Sequence, residues 1–125
     1  PTRTSTPPPL LGPSDMIGEN WLTLTRERQT QIGTLPLHSE RERVDYVKDM
    51  MLAAHVELAE ALQCVDWKPW RSDRTTSRPA FVEEMVDVLH FCANLLVAFD
   101  VTDHELREAY AAKSRVNKQR LLDTR

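Results

Sequence analysis

Glycine and proline are distributed so unevenly that they divide the chain before any motif is read. All three glycines (Gly12, Gly18 and Gly33) precede residue 34, and five of the eight prolines fall within the first 13 residues. After Pro79 neither residue occurs again in the remaining 46 positions. In a helix interior Gly costs about 1 kcal/mol and Pro about 3 kcal/mol relative to Ala, so the later part of the chain is free to run as long helices. No stretch of useful length alternates apolar and polar residues with the period of a strand. The expected fold class is all-α.

The opening residues, PTRTSTPPPLLGP, predict an extended, Pro-rich N-terminal arm over residues 1–14. Residues 15–125 then form one domain, as expected for a chain of 125 residues. Four helices are predicted. The first covers residues 15–32. The second opens on a capping box, Ser39 with Glu42, and runs to Cys64. The third starts at Pro79, a residue suited to a first helical turn, and runs through AFVEEMVDVLHFCANLLVAF. It is apolar on nearly every side, which predicts an interior position. A second capping box, Thr102 with Glu105, opens a fourth helix that runs to residue 122.

Composition narrows the function classes. The net charge is −3, whereas a dedicated nucleic-acid binder is usually basic, so no nucleic-acid partner is expected. The longest apolar run, residues 88–99, is interrupted by His90 and Asn94 and is too short to span a membrane. Cys64 and Cys92 form no CxxC pair, which argues against a zinc site and against a disulfide framework. The Pro-rich beginning is unlike a secretory signal, so the expected compartment is the cytoplasm.

The chemical clue is a set of carboxylates on apolar helices. In the third helix Glu83, Asp87, His90 and Asn94 share one face, and Glu84 lies one step round, three residues before Asp87. The second helix carries Glu57 and Glu60, three residues apart, among Val56, Leu58, Ala59, Ala61 and Leu62. If the two helices pack antiparallel, four carboxylates meet. Like charges in an apolar setting are costly unless paired or metal-bound. Hard oxygen donors without sulfur suit Mg²⁺ or Mn²⁺. A solvated helix face is the simpler reading of either pair alone; two pairs on adjacent helices favour a metal. A di-iron bundle needs two Glu-x-x-His elements, and the one carboxylate-x-x-His here is Asp87–His90.

Cations accompany the carboxylates. Tyr110, Lys113, Asn117 and Arg120 share one face of the fourth helix. They can complement the helix dipole or hold phosphate oxygens. The loop Asp66-Trp67-Lys68-Pro69-Trp70-Arg71 offers two indoles and two cations. The indoles either pin the loop to the bundle or flank a base, with Lys68 or Arg71 reaching phosphate.

These elements together resemble a known superfamily, the all-α nucleoside triphosphate pyrophosphatases, which include MazG-like proteins and dimeric dUTPases. Glu57-x-x-Glu60 followed by Glu84-x-x-Asp87 resembles the ExxE…ExxD signature. HVELAEALQCVDWKPW is similar to the dimeric-dUTPase Glu-x-x-Glu with Trp-Lys-x-Trp, and EEMVDVLHF to its ExxD helix. AYAAKSRVNKQR resembles its Tyr-x-x-Lys-x-x-x-Asn-x-x-Arg element.

The resemblance implies a four-helix bundle-like fold and a Mg²⁺-dependent enzyme with two or more ions held by Glu57, Glu60, Glu84 and Asp87. It implies hydrolysis of a deoxynucleoside triphosphate, dUTP by preference, to the monophosphate and pyrophosphate, with another (d)NTP as the alternative. Glu60, with Glu57 close behind, would be the general base. Lys68, Lys113, Asn117 and Arg120 would contact phosphates, and Gln29, Trp67, His90 and Phe91 the nucleoside. The dUTP-specific members carry Asn three residues after that Gln, where this chain has Ile32. The resemblance, and apolar residues such as Met50, Met51, Leu95, Leu96 and Phe99, imply a homodimer or tetramer. A non-catalytic helical interaction or nucleotide-sensing protein is the competing class.

Overall fold

The computed structural model describes residues 17–73 and 75–124. The Pro-rich arm lies outside them. The described residues form four helices and no strand: α1 (Trp21–Gln31), α2 (Glu40–Gln63), α3 (Arg78–Ala98) and α4 (Asp103–Asp123).

The helix starts show why the sequence breaks where it does. Ser39 Oγ accepts from the Glu42 N–H at 3.1 Å, and the Glu42 carboxylate reaches back to the His38 N–H at 2.9 Å. Thr102 Oγ1 accepts from the Glu105 N–H at 3.1 Å and opens α4. Ser77 caps α3, with a proline in the first turn. The first helix departs from expectation. It begins at Trp21, not at residue 15, because residues 18–20 are a turn and Asn20 makes no side-chain cap. The Asp103 carboxylate supplies that cap, taking the N–H groups of Leu22 and Thr23 at 2.7 and 3.0 Å. At the other end Gly33 takes φ 88°, a left-handed conformation open to glycine, and closes α1.

α2 and α3 pack antiparallel. Their facing residues pair in reverse order: Cys64 with Ser77, Glu57 with Glu84, Met50 with Asn94, and Arg43 with Ala98. α1 runs antiparallel to α3 in turn, since Leu22 meets Asp103 while Arg26 meets Val97 and Asp100. The buried core is Leu22, Leu35, Ala93 and Val97, with Trp21, Leu96 and Leu106 packed on it. It lies toward the end of α3, away from the carboxylates. Arg43 Nε donates to Ala98 O at 2.9 Å, and Arg26 Nη2 to Asp100 at 3.1 Å. Two arginines from two helices thus satisfy the end of the third, where Asp100 takes a left-handed φ of 58°.

α3 is not enclosed as its composition predicts. Val88, Ala93, Val97 and Ala98 are buried, whereas Val82 stays exposed. One chain supplies cover from α1 and α2 alone. α4 turns 108° away from α3, has no buried residue, and touches α1 near its own start. Among the described residues no single helix is long and apolar enough to cross a membrane.

Candidate metal and nucleotide site

The antiparallel register brings Glu57 and Glu60 of α2 against Glu84 of α3. One carboxylate oxygen from each lies within 4.8 Å of the others. Spacing i, i+3 places Glu57 and Glu60 on one side of α2, and that side faces α3. Glu57 and Glu84 are half-buried and Glu60 is exposed. Glu57 Oε2 and Glu84 Oε2 are closed to solvent and meet no hydrogen-bond donor.

An anion so placed is strained electrostatically. Withdrawal from water pushes the Glu57 carboxyl up to about 7, helped by the neighbouring Glu84 and Glu60 and by the charge of Asp87. Asp87 is exposed and stands just outside the three-oxygen group. Three hard oxygen donors with two orphaned atoms fit a divalent cation, which would neutralise the charge and occupy the empty lone pairs. Sulfur takes no part in the group.

The other sequence-predicted residues fall into two sets. Lys68 and Trp67 sit on the loop that joins α2 to α3, the Lys68 ammonium 5.5 Å from the Trp67 ring centre. Trp67 and Trp70 meet edge to face at 5.6 Å. His90 is exposed and Phe91 half-buried, about one turn beyond Asp87 on α3. Gln29 is buried, and its side-chain oxygen accepts from the Thr34 hydroxyl. It lies one turn nearer the carboxylates than Arg26 does, but it is fastened to the turn after α1. Lys113, Asn117 and Arg120 form the distant set. Glu84 lies 14 residues before the end of α3, about 21 Å along its axis. From that end α4 swings away, so one chain does not bring these three to its own carboxylates.

A family model described as dUTPase matches residues 16–104. The chain belongs to this all-helical dUTPase family. The matched dUTPase segment contains Gln29, both carboxylate pairs, the tryptophan loop, His90 and Phe91, and ends in the first turn of α4. Lys113, Asn117 and Arg120 lie beyond it. Comparisons with curated proteins and with solved structures give no match. The family marks the chain as a dUTPase-like nucleotide hydrolase.

Sequence reasoning missed two partners at this site. Thr34, which holds Gln29, carries no signal beyond its place in the turn. Asp73 binds Arg71 through two hydrogen bonds, Nε to Oδ1 at 3.0 Å and Nη2 to Oδ2 at 2.9 Å. Its proximity in sequence to Arg71 was the available clue.

Proposed function

We propose that the chain hydrolyses dUTP to dUMP and pyrophosphate with Mg²⁺. The observation that carries this reading is the three-carboxylate group with its two orphaned oxygens, in a chain of the dUTPase family. Glu57, Glu60, Glu84 and Asp87 would hold the metal, with Mn²⁺ as a substitute and two or more ions in the site. Bound there, Mg²⁺ supplies charge neutralisation and orientation of the triphosphate for in-line attack. Glu60 is the exposed member of the group, which suits a base that takes a proton from the attacking water. Glu57 is the second choice. Lys68 contacts phosphate; Trp67, His90, Phe91 and Gln29 meet the nucleoside.

Self-association completes the reading. Met51, Leu52, Val56, Leu58 and Leu62 leave α2 apolar on the side away from α3, with Leu52 58% and Val56 56% exposed. A patch of that kind marks an interface. A homodimer or tetramer would cover it, and in such an assembly Lys113, Asn117 and Arg120 would reach phosphate on a neighbouring copy.

A second reading, another deoxynucleotide as substrate, is favoured by Ile32, which stands exposed where a uracil-selective Asn would stand. The test is pyrophosphate release with Mg²⁺ from dUTP, the other dNTPs and the four NTPs. Preference for dUTP supports the first reading. Preference for another dNTP supports the second, and no release from any in folded protein overturns both.

A further inference from the structure

The loop between α2 and α3 is not a loose connection. The Ser77 N–H donates to Cys64 O at 2.8 Å and the Asp66 N–H to Thr76 Oγ1 at 2.8 Å. Its base is therefore clasped to the same two helix ends that carry the carboxylates. Within it lies a cavity of about 180 Å³, lined by Gln63, Trp67, Lys68, Arg71, Asp73 and Thr75 among others. Sites that enclose a whole drug-sized ligand run to roughly 300–1,000 Å³, so this one accommodates a part of a ligand. Its lining is mostly polar and carries two cations, Lys68 and Arg71, and two carboxylates, Asp66 and Asp73. Gln63, which lines the cavity, is one turn along α2 from Glu60, about 4.5 Å of rise.

Both cations are already engaged. Lys68 lies over Trp67, and the Arg71 fork is satisfied by both oxygens of Asp73. The two partners of that ion pair are half or more exposed. An exposed ion pair contributes little net stability, because water screens it and two side chains are held still to make it. A phosphate offers the same bidentate geometry with more charge and a stronger hydrogen bond. The Arg71–Asp73 pair is thus a contact that a polyphosphate chain can displace.

We propose that Arg71 is a substrate-binding residue held by Asp73 until a polyphosphate enters the loop cavity and takes the guanidinium from it. This rests on the nucleotide-hydrolase reading above. Asp73 acts as a competitor that lowers affinity and keeps the fork ordered in the free protein. The exchange requires opposite effects from the two partners.

The experiment measures KM and kcat with dUTP and Mg²⁺, and binding of inorganic tripolyphosphate with Mg²⁺ by calorimetry, for Arg71→Ala, Arg71→Lys and Asp73→Asn. Arg71→Ala should raise KM and weaken tripolyphosphate binding about tenfold, with kcat within about threefold. Arg71→Lys should recover part of the loss. Asp73→Asn should lower KM and tighten tripolyphosphate binding about threefold. If Arg71→Ala and Asp73→Asn both weaken binding, the pair is a structural staple of the loop and the proposal is wrong. If neither changes it, Arg71 does not touch phosphate. Absence of turnover in the unmodified protein would sink the hydrolase reading, while tripolyphosphate binding would still decide the exchange.

Discussion

Glu57 on α2 and Glu84 on α3 face one another across an antiparallel helix pair, each with Oε2 sealed from solvent and without a donor. Neither helix places a lysine or arginine within the group. The arrangement is costly for the metal-free fold, and the cost is readable as a pH dependence.

Glu57 rises from 4.5 to about 7, first because it is withdrawn from water, then because Glu84, Glu60 and Asp87 crowd it. Between those values the folded chain holds a proton that the unfolded chain has released. Stability of the metal-free protein therefore falls as pH rises through this window. Thermal unfolding midpoints in chelator should decline from about pH 4.5 to about 7. Excess Mg²⁺ should remove the decline, and Glu57→Gln should flatten it.

Asp103 behaves with the opposite sign. Burial pushes its carboxyl up, but hydrogen bonds from the Thr23 hydroxyl and the N–H groups of Leu22 and Thr23 outweigh it, and the net shift is below 3.8. Its contribution is present above that value and is lost as pH falls through the lower folded value. Because Asn20 makes no cap, Asp103→Ala leaves the start of α1 unsatisfied. Urea denaturation at pH 7 should show a loss of about 1–3 kcal/mol.

Arg43 joins α2 to the end of α3 by donating to Ala98 O, and its guanidinium lies 5.8 Å from the Phe99 ring centre. Arg43→Ala should cost about 1–2 kcal/mol in denaturant unfolding. Hydrogen exchange should show the last turn of α3 loosening before the carboxylate region does.

The apolar side of α2 predicts association. Sedimentation at micromolar concentration should give a mass above that of one chain, and Leu58→Glu, at a residue 45% exposed in one chain, should lower it. A monomer mass for the unmodified protein would contradict the assembly.

The helices were legible in the sequence because their punctuation is local. Ser39, Thr102 and Pro79 act on residues three or four positions away. The meeting of Glu57 and Glu60 with Glu84 was legible for the same reason, since i, i+3 spacing fixes a face before the partner helix is known; Asp87, expected with them, stands just outside the group. What depends on distant residues was hidden. Asp103 caps a helix about 80 positions earlier, so the start of α1 could not be read from its own residues. The 108° turn before α4 is likewise a tertiary property. Helical spacing put Lys113, Asn117 and Arg120 on one face without saying which site that face meets.

The most direct measurement is product analysis of dUTP incubated with the protein, with Mg²⁺ and with chelator, for the unmodified chain and Glu84→Gln. The account predicts dUMP and pyrophosphate with metal, none in chelator, and at least about a hundredfold loss in the variant, of the size seen when one transition-state contact is removed. Undiminished pyrophosphate release by Glu84→Gln, or release in chelator, would contradict it.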